Sequence, residues 1–172
     1  MSTLSNMKIL VTGASSGIGK AVVKRFAAED AKVTAIARRE NKLLELKQNY
    51  PNNIHTITAD VRDREKIVDA ISEIPHSFGP IEVLVNNAGL GRGGDSLHDG
   101  NPDDWNEMID TNIRGAMNLI YAVLPVMVSL NIGQIINMGS IASNYAYPTS
   151  NVYGATKAFL RRLSLNMRTD LV

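Results

Sequence analysis

No cysteine occurs among the 172 residues, which excludes disulfides, thiolate nucleophiles and cysteine-ligated zinc. Histidine is scarce as well. His55, His76 and His98 are too scattered to suggest a ligand set, so no metal site is expected. Lys plus Arg number 18 and Asp plus Glu 17, leaving a formal net charge of +1. With no basic run and no interleaving of basic and aromatic residues, that balance argues against nucleic-acid or membrane-surface partners and leaves a small-molecule substrate as the default. No apolar stretch approaches the roughly 20 residues that span a bilayer. Met1 to Lys8 lack the order of a secretory signal. A cytoplasmic location is the expectation. Repeats, low-complexity tracts and linkers are missing too, so residues 1–172 read as one domain long enough to bury a core.

What the chain does contain is an alternation of short β-prone runs with helical patterns. Met7 to Thr12 stops at Gly13, and Ile18 to Glu29 carries Val22, Val23 and Phe26 at helical spacing. Lys32 to Ala37 reads as a strand, Glu40 to Asn49 as a helix, and Asn53 to Ala59 as a third strand. Glu65 to Ile74 is amphipathic and Ile81 to Val85 has the character of a buried strand. Asp103 to Leu130 reads as helical with a break at Pro125, Gln134 to Met138 as a fifth strand, and Val152 to Asp170 as a final helix. Alternating strands and helices need crossover connections, so the fold class is α/β: a doubly wound parallel sheet of the Rossmann type, in a single domain.

The stretch Thr12-Gly13-Ala14-Ser15-Ser16-Gly17-Ile18-Gly19 lies between the first strand and the first helix. Small residues there let backbone N–H groups approach a pyrophosphate at the positive end of a helix. Taken alone, Gly13 could serve only a turn and Gly19 only close packing. Dinucleotide folds usually place an acidic residue for the ribose hydroxyls at the end of the second strand. Here that place holds Ala37, followed by Arg38 and Arg39. A guanidinium fork suits a 2′-phosphate, so NADP is favoured over NAD. Asp60-Val61 and Asn86-Asn87-Ala88-Gly89 close the third and fourth strands, on the edge where such sheets bind ligands. Asp60 could instead cap the following helix, and Asn86 or Asn87 brace a turn.

Tyr153 and Lys157 are four residues apart at the start of a helix and so share a face. A nearby ammonium favours the phenolate, which makes Tyr153 a usable acid/base group. Ser140, at the end of the fifth strand, could hold a substrate oxygen while Tyr153 exchanges its proton. Singly, each residue also has a plain structural role open to it. As an ordered set, they outline a site for interconverting an alcohol and a carbonyl.

The motif Thr-Gly-x-x-x-Gly-x-Gly at Thr12 to Gly19, together with Asn-Asn-Ala-Gly, Asn112, Ser140, Tyr153 and Lys157 in order, resembles the short-chain dehydrogenase/reductase family. Segments 83–90, 108–112, 151–159 and 166–171 look like its NADP-dependent 3-hydroxy acid dehydrogenase subgroup. The resemblance implies that Gly13, Ala14, Ser15, Ser16, Gly17 and Ile18 hold the pyrophosphate and that Arg38 and Arg39 hold the 2′-phosphate. Asp60 and Val61 would then contact adenine, and Asn87, Ala88 and Gly89 would line the ribose. Lys157 would bind the nicotinamide ribose, Asn112 would join a water-mediated proton relay, and Ser140 with Tyr153 would meet the substrate. That substrate would be serine, allo-threonine, 3-hydroxypropionate or malonic semialdehyde, with 3-oxoacyl or other carbonyl compounds as the alternative class. A homodimer or homotetramer through helices 103–130 and 152–170 is also implied.

Family members continue past the point where this sequence stops, adding a sixth strand, a Pro-Gly loop over the nicotinamide and a seventh strand. The resemblance therefore implies a chain lacking these elements, with an unpaired apolar sheet edge. Three functions stand at this stage: an NADP-dependent enzyme, a catalytically weak NADP-binding module, and a fragment that pairs with longer subunits.

Overall fold

A computed structural model describes residues 4–171. Five strands, β1 (Lys8–Thr12), β2 (Lys32–Ala37), β3 (Ile54–Thr58), β4 (Val83–Asn86) and β5 (Gln134–Asn137), form one sheet in the order β3-β2-β1-β4-β5. Every pairing is parallel. Six α-helices, α1 (Gly17–Ala28), α2 (Glu40–Asn49), α3 (Arg64–Ser72), α4 (Pro102–Ile109), α5 (Ala116–Leu130) and α6 (Asn151–Asp170), connect and flank it. The doubly wound parallel sheet is as expected, and element ends differ from the sequence reading by one to a few residues. A strand covered on both faces must be apolar throughout. Ile9, Leu10 and Val11 of β1 are accordingly all inaccessible to solvent. Successive side chains alternate between faces. Ile9 and Val11 join Val23 and Ala27 of α1 and Leu43 and Leu46 of α2, whereas Leu10 joins Ile67 of α3 and Leu119, Ile120 and Val123 of α5.

The chain steps from β1 outward to β2 and β3, then returns to lay β4 on the other side of β1. That reversal opens a crevice beyond the carboxyl ends of β1 and β4, the place where such sheets hold ligands. At the far end, β5 pairs only with β4 among the described residues, and Ile132 and Ile136 remain exposed there.

Two expectations for the segment 103–130 need correction. The helix continues through Pro125 without a break. Pro125 and Tyr121, whose carbonyl loses its helical donor, both lie on the exposed side, where water can replace the bond. The irregularity falls earlier, at a π-helical turn over Asp110–Gly115. Asn112 is pulled inward at this turn, donating from Nδ2 to the Leu90 carbonyl at 2.8 Å and to Thr156 Oγ1 at 3.0 Å, and accepting from the Leu90 amide at 2.8 Å. Gly115 meanwhile sits so close to Val61 that a Cβ would meet its Cγ2 at 2.6 Å. The turn is thus held from outside at Asn112 and at its Gly115 end, where the helix is widened.

The second correction concerns length and polarity. Pro102–Leu130 is one helical run of 29 residues, long and apolar enough by length and composition to cross a membrane. The reason lies in its two apolar faces. Leu119, Val123 and Met127 fill the core beneath the sheet, while Met117, Tyr121, Val126 and Val128 are exposed on the other side.

Candidate active site

The crevice is a cleft of about 820 Å³. Its floor is the turn between β1 and α1. Gly13 and Gly17 take the left-handed conformation there, with φ of +67° and +53°. A side chain at Gly13 would run into Asn87 Nδ2 and the Ala88 backbone, and one at Gly19 would meet the Gly13 carbonyl and Asn87 Nδ2. At Gly17 nothing lies within 4 Å of a hypothetical Cβ, so that point opens toward the cleft. Ser15, Ser16 and Ile18 complete this lip, Ile18 being 61% exposed although apolar. Ala14 is fully buried behind the turn and takes no part in the lining.

Thr12 and Asn87 bind the floor to β4. Thr12 Oγ1 accepts from the amides of Asn87 and Ala88 at 3.0 and 2.9 Å, and Asn87 Nδ2 donates to the Thr12 carbonyl at 2.9 Å. Asn86 points the other way, donating to Asn137 Oδ1 at 3.0 Å. Asn137 passes a bond of 2.9 Å to Ser164 of α6.

The end of the cleft beside β2 and β3 carries a charged group built on strand ends. Arg62 grips the Asp60 carboxylate through Nη2 at 2.6 Å and Nε at 3.0 Å, which holds Asp60 below the usual carboxylate range and raises Arg62. Asp60 does not cap α3, because Asp63 does, accepting from the Lys66 amide. Arg38 stands 3.9 Å from Asp60 and is largely exposed. Arg39 turns toward the floor, donating to Ser15 Oγ at 2.8 and 3.0 Å and to Ser16 Oγ at 2.6 Å. Asn118 of α5 fixes the 61–62 backbone by donating to the Val61 carbonyl at 2.9 Å.

At the opposite end α6 brings Tyr153 and Lys157 to the wall. The lysine is 6% exposed. Its Nζ donates to the Met138 carbonyl at 2.9 Å and lies 5.9 Å from the centre of the Tyr153 ring. Burial pushes its pKa below the ordinary lysine value. The Tyr153 ring packs against Gly91, where a Cβ would come within 3.4 Å of it. Ser140 follows Gly139 just beyond the cleft lining, and its Oγ accepts from the Ala142 amide at 3.2 Å, capping a short 3-10 turn. Asn112 is sealed behind the wall rather than lining it. Thr149, in the left-handed region at φ +68°, ends the loop that leads from Ser140 into α6.

Thus the fold gathers Gly13, Ser15 to Ile18, Arg38, Arg39, Asp60, Val61, Asn87 to Gly89, Tyr153 and Lys157 into one cleft, with Ser140 at its rim. Sequence reasoning missed Thr12, Arg62, Asn118, Met138 and Thr156. Of these only Thr12 and Thr156 lay in segments that the sequence had singled out. Arg92 pairs with Glu107 at 2.7 Å outside the lining. Among the described residues no group of three or more His, Asp or Glu could hold a metal. Chemically, the floor offers backbone amides at a helix start for phosphates, one cationic fork for a further anion, and a phenol beside a buried amine.

Residues 7–172 match the family described as short chain dehydrogenase. The NADP-dependent 3-hydroxy acid dehydrogenase of Escherichia coli (strain K12) is 46% identical over 165 residues, covering 96% of this chain and 66% of that protein. Sulfoacetaldehyde reductase 2 of Chromohalobacter salexigens is 42% identical over 166 residues, covering 95% of this chain and 66% of its own length. Among solved structures, the closed form of a serine dehydrogenase complexed with NADP+ superposes with a TM-score of 0.93 at 46% identity, covering 95% of this chain and 66% of that one. The chain thus spans just under two thirds of the length of these relatives.

Proposed function

We propose, from the premise that the chain belongs to the short-chain dehydrogenase family, that it is an NADP-dependent oxidoreductase acting on a small 3-hydroxy acid or its carbonyl counterpart. The observation that carries this reading is the single cleft in which a phosphate-binding turn with an adjoining basic pair faces a Tyr153–Lys157 pair. The residues fit the cofactor. The turn leaves no room for side chains at Gly13 and Gly19 but is open at Gly17, and Arg38 holds a largely uncommitted guanidinium at the ribose end. When bound, the nicotinamide supplies the hydride acceptor or donor.

The chain's own groups would do the rest. The turn from Gly13 to Ile18 receives the pyrophosphate, the basic pair Arg38–Arg39 supplies the preference for a 2′-phosphate, and Asp60 with Val61 borders the adenine. Asn87, Ala88 and Gly89 line the ribose. Ser140 at the rim holds the substrate oxygen, and Tyr153 removes or returns the hydroxyl proton. Lys157 supports the phenolate by its charge and stands where the nicotinamide ribose would lie. Asn112, locked to Leu90 and Thr156, maintains the wide turn and the path toward Lys157. Serine, allo-threonine and 3-hydroxypropionate or malonic semialdehyde are the substrates this reading favours, with other small carbonyl compounds next.

Titration with NADPH and with NADH, followed by cofactor fluorescence, tests the nucleotide half of this proposal. NADPH is expected to bind about tenfold or more tightly than NADH, and Arg38→Asp to reverse the order, because a charge-assisted phosphate contact is exchanged for repulsion. Equal affinities would show that the basic pair reads nothing.

A homodimer or homotetramer accompanies this reading, supported by exposed Met117 and Tyr121 of α5 and Phe159 and Leu165 of α6. Sedimentation analysis is expected to give a dimer or larger species, and Tyr121→Lys with Phe159→Lys to shift it toward monomer. A wild-type monomer at micromolar concentration would remove the proposed interface.

A further inference from the structure

We infer that Arg39 is a positioning residue that holds the Ser16 hydroxyl away from the start of α1, keeping the phosphate-binding amides open, while Arg38 alone reads the 2′-phosphate. This inference rests on the nucleotide reading above and divides the labour of its basic pair.

Ser16 is the N-cap of α1, and a serine there ordinarily accepts from an amide of the first turn. No such bond forms in this chain. Its Oγ accepts instead from Arg39 Nη2 at 2.6 Å, and Ser15 Oγ accepts from Nη2 and Nε of the same guanidinium at 2.8 and 3.0 Å. The consequence is electrostatic as well as steric. A self-capped helix spends an amide on its own side chain, whereas here the first-turn donors face the cleft, where the helix dipole favours an anion. Both hydroxyl oxygens also receive a cationic donor, which leaves their protons to point outward and strengthens them as donors to phosphate.

Arg39 is well placed to impose this state. It occupies the N-cap position of α2, two residues past the end of β2, and the turn is also tied to β2 by the Ala14 amide bonding the Ile36 carbonyl at 3.1 Å. The serines lie between the left-handed Gly13 and Gly17, the two most permissive points of the turn. Arg38 differs in every respect. Among the described residues its one salt bridge is a 3.9 Å approach to Asp60, a carboxylate that Arg62 already holds at 2.6 Å.

The experiment compares wild type, Arg38→Ala, Arg39→Ala, Ser16→Ala and the Arg39→Ala/Ser16→Ala double variant. NADPH and NADH titrations are combined with amide hydrogen exchange on the nucleotide-free proteins. Arg39→Ala is expected to weaken both nucleotides about tenfold with their ratio unchanged, since the loss falls on the shared pyrophosphate. Arg38→Ala is expected to weaken NADPH alone. In Arg39→Ala without nucleotide the released Ser16 hydroxyl caps the helix, so exchange at the Ile18 or Gly19 amide slows. Adding Ser16→Ala restores fast exchange at that amide. A selective loss of NADPH in Arg39→Ala, or unchanged exchange at both amides, overturns the inference. Should wild type bind neither nucleotide, the functional reading fails by itself, and the exchange comparison still decides the role of Arg39.

Discussion

Tyr153→Phe is expected to lower turnover of a small 3-hydroxy acid by about 10²–10⁴-fold, the range for removing a general acid/base, with NADPH affinity kept within about twofold. The substitution keeps the ring, and so keeps its packing against Gly91 and its place beside Lys157. It deletes only the oxygen that would carry the proton. Steady-state kinetics in the alcohol-oxidising direction, with a nucleotide titration on the same preparation, separates the two quantities. Loss of affinity in step with turnover would recast Tyr153 as a wall of the nucleotide site. Turnover that survives in the phenylalanine variant would remove it from the chemistry.

Lys157→Met should have an opposite effect on stability and on activity. Turnover is expected to fall at least about a hundredfold, because the charge that supports the phenolate is gone. Stability at neutral pH is expected to rise by something on the order of 1 kcal/mol, as removing a buried charged group retained for function commonly does. The pH dependence follows from the direction of the lysine shift. Burial lowers its pKa in the folded protein, whereas the unfolded chain returns to about 10.4. Below the folded value both states hold the proton, and the folded state bears the whole desolvation cost. Across the window up to the ordinary value the folded state has released its proton and the unfolded chain has not, so wild-type stability climbs. The advantage of the methionine variant is therefore largest below that window and shrinks within it. Thermal unfolding of both proteins from pH 7 to 10.5 measures this. A variant less stable at every pH would mean that the bond from Lys157 to the Met138 carbonyl outweighs the burial cost.

Much of the cleft could be read from the sequence because its parts are local. The turn after β1, the strand-ending Asp60-Val61 and Asn86 to Gly89, and the Tyr153–Lys157 pair each sit at a junction that composition and spacing reveal. What stayed hidden depends on contacts distant in the chain. Asn118 shows its role only where its amide meets the Val61 carbonyl, 57 positions away. The division between Arg38 and Arg39 depends on where two hydroxyls of another loop lie. The break expected at Pro125 failed because a proline tells nothing of which side of a helix it occupies, and this one lies on the exposed side. The apolar length of 102–130 escaped notice because Asp103, Asp104, Glu107, Asp110 and Arg114 crowd its first half and mask the run that follows.

The wide turn at Asp110–Gly115 also acts as a change of gear. A residue taken up without advancing the helix rotates everything after it by roughly 100°. Upstream, α4 is in phase with α6; downstream, α5 is in phase with α3 and β4. The two halves of one rod thereby present differently phased faces to their neighbours, and Asn112 lies within the change of phase. Through its bonds to the Leu90 backbone and to Thr156, that side chain ties the loop after β4 to the helix that carries Tyr153 and Lys157.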